Sequence, residues 1–432
     1  MSKKRRLSIY GVSALFLLSA CSTGGAGGKN GGSAASGDKI VIKYWTANGG
    51  KIEEAKQNLV KQFNASQNRI EVQAANQGNY DDLHAKVQAA FAAGNAPAIS
   101  DLEIASTGVF ARSGMLVDLT PLAARDEATL NSKDFNPGLM GNAYVDGKLY
   151  GLPFMRSTPI LYKNVTMLKS AGLDPAGPKS WAELEQYARV LKANGKTPMT
   201  LTVDIWYYEA LVAQSGGKVL SDDGKKALFN SAEGVAPVQY WKKMASEGLF
   251  KFAVGNTAGA DASKDWDNQI SAFKFGSTAG VAAALEVAKG NNFEVQTDFM
   301  PANTSYGVPT GGCHLIITSK TSEKEKEAAW EFIKWMTSKE NTIYQHKYVG
   351  YLPNRVSALQ SDELQNYYKE NPQYKVASDQ LKYAVPRPMA TAYPEITKMM
   401  QDAITKAILE PNVKPQDAMN EAADKANKLL GK

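Results

Sequence analysis

The sequence predicts an α/β protein built as two lobes, and three observations carry that prediction. Strand signals alternate with helical periods from Asp38 onward, which argues against an all-β or all-α chain. The length of 432 residues exceeds what one hydrophobic core holds, since cores stop growing at roughly 250–300 residues. Hydrophobic residues make up 44% and charged residues 21%, the balance of a folded globular chain. No run of about 18 apolar residues occurs, so a bundle of membrane spans is excluded.

The first element is an address. Lys3-Lys4-Arg5-Arg6 precedes an uncharged, mostly apolar run from Leu7 to Leu18, the n-region and h-region of a secretory signal. Leu18-Ser19-Ala20-Cys21 resembles the bacterial lipobox, which implies cleavage after residue 20 and lipid on Cys21. Residues 22–37 contain seven glycines and no aromatic residue, so they bury too little surface to fold. We therefore expect a signal peptide over 1–20 and a lipidated tether over 21–38. The expected place is the extracytoplasmic face of the cell membrane, held by acyl chains on Cys21.

Ile40 to Trp45 reads as the first strand, ending before Asn48-Gly49-Gly50, and Trp45 stands at the strand end where ligand loops of α/β folds gather. A helix follows over Glu53–Asn64 and a strand over Ile70–Ala74. Asp81–Ala93 carries Leu83, Val87, Ala90 and Phe91 at helical spacing and stops at Gly94. Asp146-Gly147 between short apolar pairs predicts a hairpin. Ser180-Trp181-Ala182-Glu183 is a capping box that starts a helix with Trp181, Leu184, Ala188 and Leu191 on one face, ending at Gly195. Glu323–Thr337 repeats the pattern with Ala329, Trp330, Ile333 and Met336. Pro394 and Pro415 sit where first helical turns accept proline.

Several chemistries are missing. There is no P-loop, no His-Glu-x-x-His and no Gly-x-Ser-x-Gly turn, and two cysteines cannot build a zinc site. His84 is expected on a polar helix face, His314 inside a strand and His346 near a helix end. Asp222-Asp223-Gly224 and Asp265-Trp266-Asp267-Asn268 lack calcium-loop spacing and read as a turn and a helix start. No cofactor, metal or nucleic acid is implied. The net charge of +6 falls to +2 once the four cationic residues of the signal are removed, so no basic binding face is indicated. The aromatic supply is large, and Asp204-Ile205-Trp206-Tyr207-Tyr208-Glu209 puts three rings beside two carboxylates. Such settings suit polyhydroxylated ligands, whose CH faces lie on rings while polar groups take the hydroxyls.

Three stretches then become recognisable: Gly78-Asn79-Tyr80, Gly94 to Ile99, and Ser157 to Asn164. Ala171 to Pro175, Thr310-Gly311-Gly312 and His346 through Pro353 follow in order. Over residues 39–432 the chain resembles the family 1 extracellular solute-binding proteins of bacterial ABC importers, most of all their glycerol-3-phosphate branch. The resemblance implies a two-lobed periplasmic-binding-protein fold, type II like, with a hinge between the lobes. It divides the chain into lobe 1 (39–155 plus 312–347) and lobe 2 (156–311 plus 348–432), with crossings near 151–159, 300–312 and 347–353.

By the same resemblance, Tyr80, Ser157, Trp206, Gly311, Gly312 and Tyr351 stand at the branch's ligand-contact positions. The glutamate position falls at Ile104 with Glu103 adjacent, the second serine at Ala284, and the arginine at Met389 with Arg387 two residues earlier. A phosphomonoester wants a guanidinium fork, which only Arg387 or Arg156 stands near enough to supply. Trp45, Arg156 and Tyr207 complete the candidate set. The implied function is a monomeric receptor that passes a sugar, oligosaccharide or glycerol-3-phosphate-like solute to two permease subunits. The competing reading is a lipoprotein glycoside hydrolase with Glu103 and Glu209 or Asp204 as its carboxylates.

Overall fold

The computed structural model describes residues 39–255 and 257–431, so the expected signal peptide, Cys21 and the whole of the tether lie outside the described residues. Fourteen strands are present among them. They are β1 (Ile40–Thr46), β2 (Ile70–Asn76), β3 (Ile99–Glu103), β4 (Tyr144–Val145), β5 (Lys148–Leu149), β6 (Leu152–Ser157) and β7 (Pro159–Asn164). The remainder are β8 (Thr197–Thr202), β9 (Phe250–Ala253), β10 (Ser271–Ser277), β11 (Val295–Asp298), β12 (Val308–Pro309), β13 (Gly311–Ile317) and β14 (Ala384–Val385).

Two five-stranded sheets organise the chain, ordered β2-β1-β3-β13-β6 and β11-β7-β10-β8-β9. In the first, β1 runs parallel to β2 and β3, while β13 is antiparallel to both β3 and β6. In the second, β8 is parallel to β9 and β10, and β7 is antiparallel to β10 and β11. Each sheet is covered by helices and has its own core. Tyr44, Phe63, Trp330 and Phe332 pack in the first, and Tyr208, Phe229 and Trp241 in the second. The α/β class and the two-lobed arrangement are therefore those expected.

The chain passes between the sheets at few places. β6 belongs to the first sheet and β7 to the second, with only Thr158 between them. The return runs from β11 through β12, which pairs with β14, into β13. Leu352 bridges Arg156 and leads into helices that bond to the second sheet, where Gln380 donates to the Pro159 carbonyl at 2.8 Å.

Local details depart from expectation in three places. Ser180 Oγ accepts from the Glu183 amide, but the Glu183 carboxylate takes the Lys179 amide at 2.7 Å instead of Ser180's own. Ser180 and Ala302 are bridged, and the complete capping box is instead Ser322 with Glu325. Asp265 does not start a helix. It closes the helix Ala258–Asp267, accepting from Thr200 Oγ1 at 2.7 Å and Lys251 at 2.8 Å. His84 is only half-exposed, because it packs between the Tyr80 ring and Phe110, which arrives from a separate helix.

Candidate ligand cleft

The parallel strands β1, β3, β8 and β9 end at one cleft of about 1310 Å³, lined by Asn48, Glu103, Thr202 and Ala253 among others. Carboxyl ends of strands are where α/β sheets present ligand loops, because the following helices begin there. The helix Tyr80–Ala93 starts at the cleft with Asn79 capping it, and the helix Ile205–Gln214 starts there with Asp204 accepting from the Trp206 amide at 2.8 Å. The helix Tyr393–Leu409 supplies a third side through Tyr393, Thr397 and Gln401.

At the base of the cleft one guanidinium joins a carboxylate at the end of β3 to one on the helix Ile205–Gln214. Arg387 Nη1 donates to Glu103 Oε1 at 2.6 Å, while Nε and Nη2 donate to Glu209 Oε2 and Oε1 at 2.8 and 3.0 Å. The Tyr393 hydroxyl donates to Glu209 as well. Glu103 Oε2 accepts from the Ala105 amide at 3.0 Å. Burial raises the Glu103 carboxyl above its ordinary range, with Arg387 opposing. Burial pulls Arg387 down, but Glu209 and Glu103 outweigh it and hold the guanidinium charged. Beyond this partition, Arg387 and Glu209 line a second cavity of about 900 Å³ with Leu220, Pro386 and Met389.

Of the candidate residues, the structure brings Tyr80, Glu103, Trp206 and Arg387 to the cleft. Gly311 lies directly behind the Trp206 ring. Gly312 is in the left-handed region at φ +87° and abuts the Met155 carbonyl, so its backbone serves the strand crossing. Ser157 and Tyr351 are buried off the cleft. Trp45 packs beside the cluster of Leu83, Val87 and Phe110. Tyr207 donates to the Phe275 carbonyl at 3.2 Å within the second core.

Arg156 is enclosed completely. Its donors go to the carbonyls of Gly311 at 2.8 Å and Leu139, to Thr310 Oγ1 at 2.7 Å and to His314 Nε2 at 3.2 Å. Strand β6 points this side chain into the lobe interior, which removes it as a ligand fork. Asn48, Asn79, Ser106 and Gln401 line the cleft and were not candidates. The signal for Asn79 was its helix-capping place before Tyr80.

Comparison with known proteins places the chain. The profile described as bacterial extracellular solute-binding protein matches residues 58–375. The chain belongs to that family. It is 27% identical over 413 residues to the sn-glycerol-3-phosphate-binding periplasmic protein UgpB of Escherichia coli K12, covering 90% of this chain and 92% of that protein. The Salmonella typhimurium UgpB gives the same identity over 412 residues. Among solved structures, UgpB from Mycobacterium tuberculosis in complex with glycerophosphocholine aligns with TM-score 0.80 at 23% identity, covering 91% of this chain and 98% of that one. The GacH receptor of Streptomyces glaucescens aligns with TM-score 0.82 at 19% identity, covering 91% and 99%. These structures share the fold of this solute-binding family member. Among the described residues no helix is long and apolar enough to cross a membrane, and no cluster of potential metal ligands occurs.

Proposed function

We propose that this family member is the substrate-binding lipoprotein of an ABC importer, capturing a sugar, oligosaccharide or glycerol-3-phosphate-like solute and delivering it to the permease. The supporting observation is the cleft of about 1310 Å³ at the carboxyl ends of strands from both sheets, with an indole and many polar groups on its walls. In this reading lobe 1 comprises 39–155 with 312–347, and lobe 2 comprises 156–311 with 348–432. The protein is exported, is anchored through lipid on Cys21, acts as a monomer and carries no cofactor. Cys21→Ala then releases the protein from the membrane fraction.

The glycoside hydrolase reading finds no support. Glu103 and Glu209 both bond one guanidinium, so neither carboxyl is free to protonate a leaving group, and Asp204 caps a helix. A thermal-shift panel of sugars, polyols and glycerol phosphates tests the receptor reading. A true solute at 100 times its dissociation constant stabilises by about 2.7 kcal/mol, and a flat response to every compound sinks the reading.

A further inference from the structure

Resting on the receptor reading above, the geometry points to Glu209 and Glu103 as specificity-determining residues that occupy the Arg387 fork and so exclude phosphomonoesters, leaving uncharged polyhydroxylated solutes. Phosphate recognition requires a guanidinium whose parallel N–H groups are free to meet two oxygens. Arg156 cannot provide this, because four protein acceptors surround it and it is fully buried. Arg387 does reach the cleft, but its fork is filled by both oxygens of Glu209 and its remaining arm by Glu103.

A phosphate arriving at Arg387 would have to displace a carboxylate that is only 5% exposed in Glu209 or 18% in Glu103. The displaced carboxylate would then sit unpaired in a desolvated site beside the incoming anion, which costs more than the exchanged fork returns. The wider lining repeats the sign, with five carboxylates against three cations. The two lysines among those cations, Lys398 and Lys406, sit on one exposed helix face, and Lys398 already lies 3.7 Å from Asp402. Uncharged hydroxyls face no such penalty. They can donate to the free lone pairs of Glu103 and accept from the Asn48 and Asn79 amides, while Trp206 offers a ring face.

The test titrates the purified chain calorimetrically with inorganic phosphate, sn-glycerol-3-phosphate and a panel of neutral sugars and polyols, at low and high salt. Wild type is expected to bind a neutral compound and neither phosphate. Glu209→Gln and Glu103→Gln each uncover part of the fork and should gain phosphate affinity by about tenfold or more, a gain that salt diminishes. Adding Arg387→Gln to either variant should abolish it. Thermal melts establish which variants are folded, and Glu103→Gln carries the test if Glu209→Gln is not.

Salt-sensitive binding of sn-glycerol-3-phosphate by wild type, lost in Arg387→Gln, overturns the inference while leaving the receptor reading intact. Folded variants that gain no phosphate affinity overturn it too. Conversely, variants that gain phosphate in a protein that binds no neutral solute uphold the blocked fork and sink the receptor reading.

Discussion

Trp206 lies so close over Gly311 that a β-carbon on the glycine would sit 2.6 Å from the indole Cζ2. The indole Nε1 also donates to the Thr310 carbonyl at 3.3 Å, so strand backbone and ring form one wall. Trp206→Ala should weaken solute binding by about 1–3 kcal/mol, as loss of an aromatic anchor does. Gly311→Ala should weaken it as well, by pushing the ring off the strand. Calorimetry with the preferred solute measures both, and unchanged affinity in the pair would show that the ring does not touch solute.

Gly312 sets the limit on the same strand. Its φ of +87° disfavours any side chain, and a β-carbon would lie 2.0 Å from the Met155 carbonyl oxygen. Gly312→Ala should cost about 2–4 kcal/mol in urea unfolding, by strain and overlap together. Gly290, with nothing within 4 Å of its would-be β-carbon, is the control and should tolerate alanine.

Beneath the first sheet Lys56 and Asp101 form an ion pair with both side chains at 0% exposure and 2.6 Å between them. Tyr44 donates to the second Asp101 oxygen at 2.6 Å, and the Ala47 amide adds a bond at 3.0 Å. Lys56→Met would strand a buried carboxylate, so a loss of about 3–5 kcal/mol is expected from chemical unfolding. Tyr44→Phe removes one hydrogen bond to a charged acceptor and should cost about 1.5–3 kcal/mol.

Acid should destabilise the protein through its buried imidazoles. His346 Nδ1 donates to the Tyr351 carbonyl at 2.7 Å, Nε2 has no partner, and Tyr368 and Tyr374 enclose the ring. Burial pushes its pKa down to about 4, against a small opposing pull from that hydrogen bond. The folded value lies below the unfolded one near 6.5, so the unfolded chain takes up its proton first as pH falls. The contribution is complete above about pH 6.5 and is lost toward pH 4, at about 1.4 kcal/mol per unit. Urea midpoints at pH 7 and pH 4.5 should separate more in wild type than in His346→Gln. His84, also pushed by burial to about 4, should add in the same direction.

Sequence patterning located the elements well where one face alone meets a core. The helix Trp181–Ala193 buries Trp181, Leu184, Ala188 and Leu191, the same four residues the spacing selects. Patterning missed contacts that depend on a remote element, as for half-exposed His84 against Phe110. Site residues were partly legible. Tyr80, Glu103, Trp206 and Arg387 follow strands or open helices at the cleft, whereas Ser157 and Tyr351 occupy strand or crossing positions buried on all sides. Nothing in linear order distinguishes Arg156 from Arg387. The difference comes from which partners converge in space, and Glu209 lies 178 positions from the arginine it holds.

The placement of β13 between β3 and β6 also governs when the molecule can come into being. A chain emerging from its N-terminus delivers β6 with no neighbour to pair with, and Arg156 with its acceptors at Thr310 and Gly311 still unmade. Every strand of the second sheet precedes β13, so that sheet can close while the first is still waiting. Such long sequence separations slow folding. The order of the strands thus acts as a timer, keeping the first sheet incomplete until most of the chain has been made.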